Sequence, residues 1–416
     1  MIITENVKEA GSWDVVVVGG GVAGVAAAVS SARAGKKTLI IEKTLNFGGL
    51  ATIGLVNFFV PMCNGRGTQI CFGMADELLK LSYQYGWTDM RECWLKNEEQ
   101  KQGRLVAKYS PSIFSLALVE LLKKEGVEIF IDTILSSVVV ENGHIEGIII
   151  DSKSGREFVR GKMFVDVTGD CDLMYRAGVP TVDGGNYFTY YAHGMNLDTM
   201  KKAVDEEKVY KAYRWYMGGR ANLYGGNHPE GKKYYVGTTR EDVTEYVLDN
   251  QMELLDTLRG ENKDYFDLTY LPHMPQFRTT RRLDGDKTFS HYDAYKHCED
   301  SVCAINDFDR NDYLYEVPYG ALVKTGFDNV ITAGRSASAK GYGWDVLRVI
   351  PPAILTGQVA GNACAQAIDD GNPIYAIDVS KLQKTLEAQN VMIHFDDSLI
   401  PADVVKAEDG HAEGHI

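Results

Sequence analysis

DVVVVGGGVAGVAAAVSSARAGKKTLIIEK, Asp14 to Lys43, is the stretch whose reading decides the fold. Four consecutive valines ended by glycine read as a strand buried on both faces, as in a parallel sheet covered by helices. Gly19, Gly21 and Gly24 form G-x-G-x-x-G. In that pattern the first glycine permits a tight turn and the second lets backbone amides approach a pyrophosphate. The third lets the following helix lie close to the strand. That helix is rich in alanine (Ala23, Ala26, Ala27, Ala28, Ala32), and its amino end favours a bound phosphate. A second strand, LIIE, ends at Glu42, 18 residues beyond Gly24, where a carboxylate can hold a ribose diol. A glycine turn serving packing alone leaves the coincidence of strand, glycines, small-residue helix, strand and carboxylate unexplained.

The chain beyond Lys43 separates flavin from nicotinamide. An NAD domain proceeds into further strand–helix units, whereas this chain enters FGGLATIGLVNFFVPMCNGRG, Phe47 to Gly67, glycines mixed with large apolar residues. Regular structure is expected to resume near Ser110. Pro111 opens a helix with Phe114, Leu118, Leu121 and Leu122 on one face. VEIFIDT reads as a strand, and the next passage as strands broken by Asn142-Gly143 and Ser154-Gly155 turns. The last of these, FVDVTGD, re-enters the parallel sheet. Such a meander points to a flavin-binding domain. Near the C-terminus NVITAGR, Asn329 to Arg335, is a further strand, and RVIPPAILTGQVAGNACAQAID a helix opened by Pro352. The amino end of that helix is expected to face an electron-rich ring that gains charge on reduction.

Taken in order from about residue 14 to 370, these blocks resemble the FAD-dependent oxidoreductase family, of the glutathione-reductase-like flavoprotein superfamily. Fumarate reductase and succinate dehydrogenase flavoproteins are distant relatives of that family. GGGVAGVAAA, GGLATIGLVNFFVPMCNGRG, DVTGDCDLMYRAGVP, RTTRRLDGD, YEVPYGALV with NVITAGR, and RVIPPAILTGQVAG carry the likeness. The resemblance implies an α/β fold: a Rossmann-like FAD-binding domain of glutathione-reductase type with an inserted α+β substrate or cap domain. The expected division is 1–180 for the first part, with a flavin-side insertion at about 47–109, then 181–320 for the cap. The FAD domain returns over 321–375, and 376–416 forms an extension and tail.

FAD is the implied cofactor. Gly19, Gly21, Ala23 and Gly24 would flank its pyrophosphate, Glu42 would take the adenosine ribose, and Lys43 and Leu135 would border adenine. Gly48, Gly49, Leu50 and Ala51 would pass beside the pyrophosphate and flavin, and the apolar run as far as Val60 would continue along the flavin. Thr168 and Gly169 would cover the adenosine half, and Gly334, Arg335, Ile350, Pro351 and Pro352 would reach the ribityl chain and flavin. Succinate dehydrogenase relatives attach FAD through a histidine before the second glycine motif; Thr44, Leu45, Asn46 and Phe47 stand there, so non-covalent FAD is expected.

Composition narrows the partners. The chain has 416 residues with 43 Lys and Arg against 57 Asp and Glu, a net charge of -14, which disfavours nucleic acid. Seven scattered cysteines, with no C-x-x-C pair, give neither a disulfide framework nor a zinc ribbon. Without an export signal or a membrane-length apolar run, a cytoplasmic setting is expected. Homo-oligomerisation is open, and the electron donor or acceptor is unknown. The tail EDGHAEGHI reads as disordered.

Chemistry is sought in the tyrosine-rich cap. RTTRR supplies Arg278, Arg281 and Arg282; as a strand the first and last share a face, as a helix all three cluster. Guanidinium groups can clamp a carboxylate or polarise a carbonyl beside the flavin, or simply carry surface charge. Arg348 precedes the flavin helix and faces substrate or the flavin pyrimidine, or equally forms a structural ion pair with Asp345. His193, the one histidine in the aromatic cap segment, is a candidate proton donor, although a lone histidine is more often structural. Cys63 is read as a packing residue before a redox thiol, and Asp170 and Asp172 as loop stabilisers. His291 and His297 have scattered neighbours, and no metal is expected. These features point to hydride transfer between flavin N5 and a small polar substrate, either a sugar or hydroxy-acid carbinol or an activated C=C bond. A tRNA-acting flavoprotein and an FAD-binding protein without turnover are the alternatives.

Overall fold

The computed structural model describes residues 4–96, 98 and 103–402, so the EDGHAEGHI tail lies outside the described residues. A seven-stranded mixed sheet forms the centre. Strand Lys8–Val18 lies parallel to Thr38–Ile41 on one side and to Gly155–Asp166 on the other. Glu128–Phe130 adds a further parallel strand beside Thr38–Ile41. The valine run explains the depth of this sheet: Val15 and Val17 belong to one apolar core, Val16 and Val18 to the other.

Strand Gly155–Asp166 is long enough to take two partners along one edge. Its end pairs in parallel with Val330–Thr332, and its start pairs antiparallel with His144–Ser152. The latter continues the meander to Ile134–Glu141 through a turn at Asn142 and Gly143, both with positive φ. The return of residues 330–332 beside 164–166 brings a segment more than 150 residues distant to the same sheet edge as the glycine loop.

Helix Val22–Arg33 packs against the C-terminal helix Ile350–Asp370, which is buried from Ile350 to Ala367. Contact is close because Gly357 and Gly361 face Ala23 and Ala27: a Cβ on either glycine would stand 2.2 or 2.3 Å from their carbonyl oxygens. Between residues 166 and 330 the chain builds a separate three-stranded antiparallel sheet. Its central strand is Thr189–Asn196, between Arg214–Arg220 and Phe266–Tyr270. Helix Arg240–Leu258 lies on it through the narrow stripe Tyr246, Asn250 and Leu254.

Regular structure resumes earlier than Ser110. Helix Met74–Gln84 stands inside the 47–109 stretch and buries Met74, Ala75, Leu78 and Leu79. RTTRR is neither one strand nor a helix; only Arg281–Leu283 is extended, paired with Thr181–Asp183. Among the described residues no helix is long and apolar enough to cross a membrane.

Candidate functional site

One elongated cavity, about 1370 Å³ including its open mouth, runs along the carboxyl ends of the parallel strands. At one end stand Glu42, Lys43, Thr133, Ile134, Leu135, Asp172 and Arg176. The middle is backbone: Gly19, Gly20, Gly21, Thr168, Gly169 and Gly334. The far end is apolar with one cation, from Leu50, Ala51, Ile53, Met274, Ile350 and Ala353 to Arg348.

The glycines make the middle narrow and leave it free of side chains. Gly48 takes φ +102°, donates its N–H to Gly20 O at 2.7 Å, and ties the second glycine motif to the first. A Cβ on Gly21 would meet nothing within 4 Å, so it would project into the cavity. That vacant space at the amino end of helix Val22–Arg33 is a fit for a pyrophosphate. The helix has no side-chain cap and no acidic residue in its first turn, so its N–H groups and dipole are unopposed.

Glu42 is buried, its carboxylate accepting from Gly20 N at 2.6 Å and Thr44 N at 2.8 Å. Those contacts fix the carboxylate at the cavity wall while leaving lone pairs on both oxygens. Asp166, wholly buried, accepts from Thr168 N, Thr168 Oγ1 and Met174 N and shapes the loop beneath; burial pushes its carboxyl up to about 6. Asp172 is likewise raised, first by burial. Arg335 is nearly buried and spans the loop, with Nε to Gly169 O at 2.5 Å and Nη2 to Asp170 Oδ1 at 2.7 Å.

Most residues expected from the sequence converge here. Gly19, Gly21, Ala23, Glu42, Lys43, Gly48, Gly49, Leu50, Ala51, Leu135, Thr168, Gly169, Gly334, Arg335 and Ile350 all line the cavity. Gly24, Pro351 and Pro352 do not. Gly24 lies beneath the glycine loop, where a Cβ would be 1.9 Å from Gly19 O, and the prolines are buried in the C-terminal helix. The apolar stretch lines the cavity only as far as Ile53; Phe59 turns into the core against Tyr109 and Phe114. Met274 is a lining residue with no sequence signal. Thr133 and Ile134 neighbour Leu135 and were within reach of the same strand argument.

The catalytic candidates separate. Arg348 lines the far end and pairs with buried Asp345, Nε to Oδ1 at 2.8 Å. Arg278 lines an adjoining recess with Asn186, Tyr187, Trp344 and Asp345. It gives one hydrogen bond to Asn222 O at 3.1 Å and has no ion pair among the described residues. Burial first, then the charge of Arg348, works against its protonated form. Arg281 instead pairs with Asp183 at 3.3 Å and Asp172 at 3.5 Å and covers the Tyr175 ring. Arg282 is buried on Leu283 O and Ser338 Oγ. Neither lines the cavity.

His193 is buried in the cap sheet, and Trp215 Nε1 donates to its Nε2 at 3.1 Å. Burial lowers it to about 4, so at neutral pH it is an acceptor without a proton to give at that atom. Cys63 is buried, receiving Leu105 N at 3.0 Å, and burial pushes the thiol up. Arg66 pairs with Asp312 at 2.7 Å. Neither residue lines the cavity.

A phosphate-ready helix end, a ribose-ready carboxylate and an apolar far chamber on one sheet edge define a dinucleotide-binding flavoprotein. Residues 14–229 and 227–386 match the family model described as FAD dependent oxidoreductase, and the chain belongs to that family. The family implies FAD, which the cradle of Gly21 and Glu42 fits. The structure is similar to a geranylgeranyl bacteriochlorophyll reductase-like protein from Thermoplasma acidophilum, at 16% identity and TM-score 0.42 over 93% of this chain and 94% of that one. It is also similar to p-nitrophenol 4-monooxygenase PnpA from Pseudomonas putida DLL-E4, at 15% identity and TM-score 0.46 over 93% and 91%. L-proline dehydrogenase from P. horikoshii gives 13% identity and TM-score 0.44 over 93% and 99%. No curated protein matches the chain in sequence.

Proposed function

We propose that this FAD-dependent oxidoreductase acts on a small organic anion whose carboxylate is received between Arg278 and Arg348. The observation that carries this reading is a charge imbalance. Two arginines stand close enough to oppose each other's charge, and Asp345 is the carboxylate paired with Arg348, while Arg278 has no ion pair among the described residues. Asp345 lines the same recess and its charge favours protonated Arg278, but of the two arginines it pairs with Arg348, so two guanidinium groups share one carboxylate and a bidentate substrate carboxylate would balance them.

FAD, when bound non-covalently along the glycine cradle, supplies hydride chemistry at its N5. The residues of the chain supply the rest. Gly19, Gly21, Gly48 and Gly49 give the cofactor backbone contact, and Glu42 accepts from the ribose. Leu50, Ile53, Met274 and Ala353 keep water from the far chamber, where a polar reaction centre gains most from fixed charge. Arg348 holds positive charge there, with Asp345 fixing its guanidinium plane. Arg281, Arg282 and His193 act as structural groups in this reading. The substrate class is therefore a hydroxy acid oxidised at its carbinol or an unsaturated acid reduced at its C=C bond.

Anaerobic flavin absorbance tests the reading. The oxidised protein is mixed with 2-hydroxy acids and polyols, and the reduced protein with unsaturated acids and their methyl esters. Bleaching or reoxidation by acids but not by esters or polyols is expected. Arg278→Met should raise KM for the acid by at least about tenfold, the loss of one charge-assisted hydrogen bond. Equal reaction with acids and esters, unchanged in Arg278→Met, would overturn the proposal.

A further inference from the structure

We propose that His297, Glu316 and His394 bind a divalent transition metal, zinc in the first instance, and that the ion staples the C-terminal segment to the hairpin Ser301–Asn306/Leu314–Pro318. None of the three lines the FAD cavity, so the site is separate from the redox centre.

The hairpin presents Glu316 from the strand Leu314–Pro318, opposite Ala304. Its side chain has no exposed surface, and His297 and His394 are its ion-pair partners among the described residues. His297 Nδ1 lies 2.5 Å from one carboxylate oxygen, and His394 Nδ1 lies 3.0 Å from the other. One donor atom from each of the three residues falls within 4.8 Å of the rest. Cys298 N donates to Glu316 Oε2 at 2.8 Å and holds the carboxylate in place.

This arrangement lacks a permanent cation. A fully buried carboxylate here has no lysine or arginine paired to it among the described residues, and burying that charge without a fixed counter-charge carries a high cost. A divalent ion between the two Nδ1 atoms and the carboxylate removes that cost. Two imidazoles and one carboxylate suit zinc, and the half-exposed rims of both histidines leave the fourth position to water.

The surroundings have the form that metal-bound histidines require. His297 turns its other nitrogen, Nε2, to Asp397 Oδ1 at 2.9 Å, the carboxylate–histidine arrangement that fixes tautomer and ring orientation. Its ring also stacks on Phe395 at 4.5 Å between centroids. His394, Phe395 and Asp397 belong to one segment, docked on the hairpin by Ala304 N to Met392 O at 2.6 Å and Ser301 Oγ to Ile393 O at 2.6 Å. A metal would therefore join that segment to the hairpin at a second kind of bond. The set was invisible in sequence because its members are 19 and 78 residues apart.

The test uses tag-free, flavin-loaded full chain, dialysed against EDTA and then titrated with zinc chloride. Bound zinc is counted by mass spectrometry, and thermal unfolding is followed in parallel. One zinc per chain is expected, with a higher Tm and X-ray absorption showing nitrogen and oxygen donors at about 2.0–2.1 Å. His297→Ala and His394→Ala alter half-exposed side chains, so both should fold and keep the flavin spectrum while losing the zinc. Asp397→Asn should weaken zinc binding about tenfold or more. Absence of zinc from the wild-type chain, or equal zinc in the wild type and both histidine variants, would overturn the site and leave a hydrogen-bonded ion pair.

Discussion

Glu42 holds the fold at the place proposed to take the ribose. Its two oxygens accept from the amides of Gly20 and Thr44, so the carboxylate ties the glycine loop to the turn that follows its own strand. Glu42→Gln sets an amide N–H2 against one of those N–H donors. FAD affinity should fall at least about tenfold, as expected for a lost hydrogen bond to a charged group; flavin fluorescence titration reads this, and unchanged affinity would remove Glu42 from the site. His193 makes the opposite kind of prediction. Its folded value of about 4 lies below the ordinary 6.5, so the unfolded chain binds the proton more readily. Its contribution is complete above pH 6.5 and is lost as pH falls towards 4. Urea denaturation at pH 7.5 and pH 5 should differ by about 2 kcal/mol from this residue, and His193→Gln should flatten that difference. The glycines and Glu42 were legible because backbone chemistry demands those residue types at those spacings. How the arginines divide was not: Arg278 lines a recess, while the short pairing of 281–283 with 181–183 turns Arg281, three residues on, towards Asp172 and Asp183.

At the scale of elements, two helix amino ends meet the cavity, and they differ. Helix Val22–Arg33 has no proline or side-chain cap in its first turn, whereas the C-terminal helix opens with Ile350, Pro351 and Pro352. Two prolines remove the donors that a helix end normally presents. The expectation of a helix end facing an electron-rich ring thus needs a second source of positive charge, and the arginine lining the cavity two residues upstream is Arg348. The two helices are in turn set by glycine. Gly357 abuts Ala23, itself a cavity residue, while Gly361 abuts Ala27 one turn further from the cavity. Gly357→Ala and Gly361→Ala should each cost about 1–3 kcal/mol through overpacking, visible as a lower Tm. FAD affinity should drop with Gly357→Ala and much less with Gly361→Ala. Equal losses would mean that the helix pair moves as one body and that cavity geometry is not set locally.

Across the whole molecule, the cavity is assembled from segments scattered between Val18 and Ala353, joined by sheet pairing. The parallel core and meander were legible because strand periodicity and turn glycines are local signals. Met274 and the Arg278 recess were not, because they depend on how the cap folds back onto the sheet, and no local pattern encodes that. The same assembly bears on how FAD is held. Among the described residues that line the cavity there is no histidine, cysteine or tyrosine. Thr44 to Phe47, where the covalent relatives carry histidine, hold none either, and Phe47 is buried in the core. The proposed retention rests on pyrophosphate at the glycine loop, ribose at Glu42 and apolar contact at Leu50, Ile53 and Ile350. Precipitation with acid destroys all three at once, because each requires the folded chain. Yellow colour should pass completely to the supernatant, and the pellet should show no flavin fluorescence in a denaturing gel. Flavin that stays with the pelleted protein would mean a nucleophile reaches the ring from outside this wall, and the fit of the cavity to non-covalent FAD would fail.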